Sequence, residues 1–302
     1  MMHYRNLLRR LDLVSLQLLL AVHEEGTLTR AAEREMIALS AASKRLHDLE
    51  RSLDIELFER NAKGTTLTPV GETLLHYAKR ILADVERISI DVGEHLQGVR
   101  GYVRMMANIS AIIEFLPEDL QAFTVGHPQV KVSLDERPSA GVVKGVLEGA
   151  ADLGICSSDT DTRGLLAVPY RQDTLVVVMR PDHRLAARPR LAFAETLDDD
   201  HVGLHADSFI NLRTKAAARS HGKALRLRIH VPGFDAVCRM VQAGFGLGVL
   251  PLQAFELIGR PLGLIAATLD DDWSQRSLAL VVRDVESLSP VSRLLYDHLL
   301  DV

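Results

Sequence analysis

Leu13, Leu16 and Leu20 recur at three- and four-residue spacing, which predicts an amphipathic helix that Gly26 stops. Thr27 or Thr29 can cap a short second helix through Arg30, Ala31, Ala32 and Arg34. A third helix carries Ala42, Leu46, Leu49 and Leu53 on one side. Turns of only a few residues join the three, a helix-turn-helix arrangement. Leu57-Phe58 and Thr66-Leu67 then flank a turn at Lys63-Gly64, which predicts a small β-wing.

The next segment is one long helix from Pro69 to Leu96, with Thr68 as N-cap and Pro69 at the first helical position. Leu74, Ala78, Ile81, Val85, Ile88 and Val92 alternate by four and three, an a/d seam that predicts self-pairing. At 1.5 Å per residue such a helix is about 42 Å long. Past Gly98 and Gly101 the texture changes. Strands are predicted at Val103–Ala107, Val130–Glu136, Leu153–Cys156, Leu175–Met179, Val202–Leu204, Leu227–Val231, Gly248–Leu250 and Leu278–Val282. Helices are predicted between them at Ile112–Phe123, Val142–Glu148, Phe209–His221 and Phe234–Ala243. This alternation argues for an α/β architecture with mostly parallel sheets.

Composition narrows the function. The chain has 302 residues, 47% hydrophobic and 25% charged, with a net charge of −5, so no global positive field draws it to nucleic acid or membrane. Up to Thr66, ten basic residues balance ten acidic ones, so non-specific DNA affinity is expected to be modest. Two cysteines, Cys156 and Cys238, exclude a disulfide scaffold and suit a reducing compartment. No apolar run reaches about 18 residues. Asp12, Gln17 and the following His23-Glu24-Glu25 break the signal-peptide pattern, so a cytoplasmic protein without membrane contact is expected.

Several runs together carry a resemblance: Ala31-Ala32-Glu33-Arg34, Ser43-Lys44-Arg45-Leu46, Leu57-Phe58-Glu59-Arg60 and Leu67-Thr68-Pro69-Val70-Gly71. Further along come Phe115-Leu116-Pro117, His127-Pro128, Ala151-Asp152-Leu153-Gly154-Ile155 and Gly246-Leu247-Gly248-Val249-Leu250-Pro251. In this order and spacing the chain is similar to the LysR-type transcriptional regulators over nearly its whole length. The resemblance implies an all-α winged helix-turn-helix domain over 1–67 and a coiled-coil linker and dimerisation helix over 68–97. An α/β effector domain like periplasmic binding proteins would fill 98–302. Its lobe I would take about 98–170 and 268–302, and its lobe II about 171–267. Double-stranded DNA, a second copy of the chain as dimer or tetramer, and RNA polymerase are the implied partners.

The residues agree with that reading. The third helix exposes Ser40, Lys44, His47 and Arg51 opposite its apolar side, with Ser43 and Arg45 flanking, a set that can reach base edges and phosphates in a major groove. Arg34, Arg60 and Lys63 are candidate phosphate contacts. The family commonly has Gln-Pro where this chain has Leu39-Ser40, and Leu39 cannot replace glutamine as an adenine reader. By position in the family, effector contacts fall at Asn108, Ser110, Ser139, His205, Asp207 and Phe234. Serines at helix N-termini suit a small organic anion, and no other cofactor is expected.

Other signals point elsewhere. Asp198, Asp199, Asp200, His201, His205 and Asp207 are metal-ligand types, but on a strand His201 and His205 lie about 13 Å apart. Gly244-Phe245-Gly246-Leu247-Gly248 follows a helix and precedes a strand, the reverse of a phosphate loop. No motif of the G-x-S-x-G or H-E-x-x-H type is present, so an enzyme is not expected. The alternative is a cytoplasmic small-molecule-binding protein whose helical head docks a protein partner.

Overall fold

The computed structural model describes residues 11–61, 64–96 and 101–301; Lys63 lies outside them, and of Arg60 and Val92 only the backbone is described. The chain divides into two compact units.

The first unit begins with three helices: α1 (Leu13–Glu25), α2 (Leu28–Arg34) and α3 (Leu39–Leu53). Local chemistry sets their ends. Asp12 Oδ1 accepts the Ser15 N–H at 3.0 Å to cap α1, and Gly26, at φ 70°, closes it with its N–H on the Val22 carbonyl. Thr27 caps α2 through the Arg30 N–H. Leu18, Ala21, Val22, Ala31, Ala32, Ala42 and Leu46 form the core under the three helices. Strands β1 (Phe58–Asn61) and β2 (Gly64–Leu67) pair antiparallel as the wing. The Thr68 hydroxyl accepts the Gly71 N–H at 3.0 Å and opens α4 (Pro69–Leu96), a single helix of 28 residues.

The α4 seam is split in its use. Ala78 is fully buried and, with Leu75, packs on Leu16 and Leu19 of α1, with Leu74 and Ile81 half-buried beside them. Ala78 is therefore core of the chain's own head, which corrects its expected place in a dimer seam. Val85 and Ile88 stand exposed.

The second unit holds β3 (Gly101–Ala107), α5 (Ile109–Glu114), α6 (Leu116–Gly126), β4 (Val130–Glu136), α7 (Ser139–Leu147), β5 (Leu153–Ser157) and β6 (Leu166–Met179). It continues with β7 (Arg190–Leu191), β8 (His201–Gly203), α8 (Phe209–Ser220), β9 (Leu227–His230), α9 (Phe234–Gln242) and β10 (Leu247–Pro251). Strands β11 (Ile265–Leu269) and β12 (Gln275–Val282) and helix α10 (Pro290–Asp301) complete it. Strand order is β4-β3-β5-β12-β6-β10-β8-β9, with β11 on the other edge of β6 and β7 beyond it.

Strand β6 joins two half-sheets. Residues 166–174 pair with β12, and Leu175–Met179 pair with β10 and β11. Outer pairs are parallel, but every neighbour of β6 is antiparallel to it, as β12 is to β5. The expected mostly parallel sheets are thus mixed, because the long crossing strand runs against its neighbours in both halves. The helix expected over Ile112–Phe123 is two, broken at Phe115 ahead of Pro117. Each half has its own core, one around Met105, Ile155 and Leu280, the other around Val177, Phe193 and Val241.

Candidate functional site

Helix α3 is buried along Ala42, Leu46, Leu49 and Leu53, which leaves Ser40, Lys44, His47 and Arg51 exposed on one face with Ser43 half-buried at its margin. A groove of about 660 Å³ beside Lys44, Arg45 and Arg51 is also lined by Asp12 and Asp48. The cations are not all equal. Arg45 Nη1 donates to Asp12 Oδ1 at 3.0 Å. Arg34 Nη1 donates to Glu24 Oε2 at 2.6 Å, and its Nε lies 3.6 Å from Glu35. These acids lower the field a phosphate would meet at Arg34 and Arg45, whereas Lys44 projects from the centre of the exposed face.

In the second unit, a small cavity of about 30 Å³ lies where the half-sheets join, and Asn108, Ser110, Ser139 and His205 all line it. Asn108 Oδ1 accepts the Ala111 N–H at 3.0 Å and so caps α5, while its Nδ2 donates to Ser139 Oγ at 3.3 Å. Ser139, the first residue of α7, also accepts the Ser157 N–H at 3.1 Å, leaving its own O–H to donate. A volume of this size holds about one water. Asp207 is exposed and away from the lining, and Phe234 is 1% exposed in the core around Val241, so neither belongs to the cavity wall. The hydrophobic face of α9 needs the Phe234 ring, and that packing outweighs its position in the Pro232-Gly233 turn.

Arg276 at the start of β12 lines the cavity and was not foreseen. Its Nη2 donates to Ser110 Oγ at 2.9 Å, and its Nε donates to Asp173 Oδ1 at 2.7 Å across the β6–β12 pair. Glu114, 2% exposed at the end of α5, adjoins this pair. Burial, then the charge of Asp173, pushes its carboxyl up to about 8, so it is protonated at neutral pH. Arg276 and Asp173 sit in the polar ends of their strands, among Gln275, Ser277, Gln172 and Thr174, so no local pattern marks them.

The signals set aside fall out as packing. Burial lowers the His201 imidazole to about 4; its Nδ1 lies 3.2 Å from the Asp199 carbonyl and its Nε2 3.2 Å from the Thr196 hydroxyl. Among the described residues no group of three or more His, Cys, Asp or Glu is placed to hold a metal ion. The glycine run is a helix-to-strand turn between α9 and β10.

A winged helix-turn-helix head, a long following helix and a two-part α/β domain with a cleft where its halves join define a DNA-binding regulator with a ligand-binding domain. The model of the bacterial regulatory helix-turn-helix protein, lysR family, matches residues 13–72, and that of the LysR substrate binding domain matches residues 96–302. The chain belongs to the LysR family of transcriptional regulators. It is 27% identical over 273 residues to the RuBisCO operon transcriptional regulator of Allochromatium vinosum, covering 90% of each chain. Its fold is similar to CbnR, a LysR family transcriptional regulator, at TM-score 0.67 and 21% identity, over 96% of this chain and 99% of that one. Full-length CbnR complexed with its target DNA gives TM-score 0.66 over the same shares at 21% identity. The regulatory domain of Synechocystis PCC6803 CcmR in complex with 2-PG matches at TM-score 0.61 and 22% identity, over 67% of this chain and 97% of that one. The protein is thus a DNA-binding transcriptional regulator with an effector-binding domain, not an enzyme. Among the described residues no helix is long and apolar enough to cross a membrane.

Proposed function

We propose that this regulator binds operator DNA as a dimer or tetramer in the cytoplasm, with RNA polymerase as a further partner, and that a small organic anion in the cleft gates it. On this reading Ser40, Ser43 and His47 meet base edges, and Lys44, Arg45, Arg34, Arg60 and Lys63 meet phosphates. Domain boundaries near 67 and 97 separate head, linker helix and effector domain.

The observation that carries the effector reading is Arg276, a cation 6% exposed, at a cleft whose other walls offer hydroxyls from Ser110 and Ser139. A carboxylate or phosphate that shares this guanidinium with Asp173, or displaces Asp173 from it, would also meet the free Ser139 O–H. The cavity is far below the roughly 300 Å³ of ordinary ligand pockets, so the halves must part to admit a ligand. Only two chain crossings join them, at Thr174-Leu175 and Ser274-Gln275, and both lie beside the Asp173–Arg276 pair. Parting and reclosing around an anion would reset the effector domain and, through α4, the spacing of the heads.

The test is footprinting of the full-length chain on DNA flanking its own gene against scrambled DNA, across a salt series and with a panel of small carboxylates and phosphates. Protected symmetric sites, a steep salt slope and a footprint altered by one acid are the expected result. Protection indistinguishable from scrambled DNA in every condition overturns the reading.

A further inference from the structure

Leu39 is the first residue of α3, and it is 47% exposed and belongs to none of the buried clusters of the head. It shares a wall with Ser43 and His47, at i, i+4 and i+8, along a groove of about 670 Å³. Met36, just before it, is 92% exposed and held at φ 54°, in the left-handed region that a methionine adopts at a cost. The leading tip of the polar α3 face is therefore apolar, and among the described residues nothing in the head covers it.

Its occupant follows from what α3 meets in a DNA-binding regulator of this family. Leucine neither donates nor accepts a hydrogen bond. The major-groove edges of the four base pairs carry donors, acceptors and a single apolar group, the C5-methyl of thymine. We propose that Leu39 is a specificity-determining residue that selects thymine at one position of each half-site by packing on its C5-methyl, in place of hydrogen-bond reading of adenine. Met36 extends the same apolar surface toward the neighbouring base step. The proposal rests on the DNA-binding reading of α3 and adds which base its first residue selects.

The experiment starts with duplexes selected from a randomised library by the full-length protein. Each dT of the bound site is then replaced in turn by dU, which removes only the methyl group. At one thymine per half-site the wild-type protein is expected to lose about fourfold in affinity, the worth of one buried methyl. Leu39→Ala is expected to bind more weakly and to be indifferent to that replacement, with an unchanged salt slope because no phosphate contact is lost. Leu39→Gln is expected to shift the selected base at that position to adenine. Leu39 is half-exposed, so both variants should melt with the wild type, and that is checked by circular dichroism. Specific binding without any methyl-sensitive thymine, or equal sensitivity in Leu39→Ala, overturns the proposal while leaving DNA binding intact. Failure to select any duplex overturns both.

Discussion

Arg276 and Asp173 form an ion pair, with side chains 3% and 2% exposed, at the point where the two half-sheets of the effector domain exchange chain. Arg276 also reaches Ser110, so one guanidinium ties β12 to β6 and to the first turn of α5. Removing one partner of such a pair strands a buried charge. Arg276→Gln is expected to cost about 3–5 kcal/mol in urea unfolding, and adding Asp173→Asn should recover much of it. A loss below about 1 kcal/mol, as for a solvated surface pair, would mean that water reaches the pair.

Glu114 beside this pair predicts an unusual pH dependence. Its carboxyl titrates near 8 in the folded protein against an ordinary value of 4.5, so the native state keeps a proton that the unfolded chain releases in between. Its contribution to stability is complete below about 4.5 and is lost as pH rises through about 8. Glu114→Gln keeps the neutral shape and lacks the titration. The melting temperature of the variant relative to wild type should therefore climb by a few degrees between pH 5 and pH 8.5. A difference constant across that range would show that Glu114 is ionised in the fold.

Buried thiols should be inert. Burial pushes Cys156 up to about 12 and Cys238 up to about 11, the latter aided by the charge of Asp235. Both remain protonated at pH 7.5, so iodoacetamide should label neither in the folded protein and both after unfolding in urea. Rapid labelling of either thiol under native conditions would point to a redox role.

The head was readable because its information is local. Asp12, Gly26, Thr27 and Thr68 act within three or four residues of where they stand, and the apolar spacing of α3 and α4 needs no distant partner. The first half of β6 was hidden by Pro169, Arg171 and Asp173, residue types that argue against a strand when read alone. Pairing with β12 overrides them, and that pairing spans about a hundred residues of sequence. Asn108, Ser110, Ser139 and His205, placed by the family resemblance and not by any local pattern, line one cavity. Arg276, Asp173 and Glu114 come together only through tertiary contact, so no spacing announces them.

Gly246 sits at φ 138°, a conformation essentially confined to glycine, and a Cβ there would run into the Asp200 carbonyl oxygen. That carbonyl accepts the Leu247 N–H at 2.8 Å, where β10 joins β8. Gly246→Ala must break this junction or strain it, at an expected cost of about 3 kcal/mol or more. Gly26, at φ 70° with open space around its Cβ position, should cost only about 1–2 kcal/mol on the same substitution. Paired unfolding measurements check the contrast, and equal losses would mean that backbone conformation alone sets the cost.

The proposed dimer is expected to form along the exposed apolar residues of α4. Val70, Tyr77, Val85 and Ile88 are 49%, 53%, 38% and 63% exposed, and they fall near one stripe of the helix. Ala78, by contrast, is sealed against α1. An aspartate at Ile88 places a charge in the stripe without touching the core of the head. Ile88→Asp is therefore expected to shift the protein toward monomer in sedimentation while leaving its helical melting unchanged. DNA affinity should fall at least tenfold, because two linked heads engage two half-sites far more tightly than one. Ala78→Asp should instead unfold the head itself. If Ile88→Asp remains an oligomer with full operator affinity, the seam lies elsewhere on the chain.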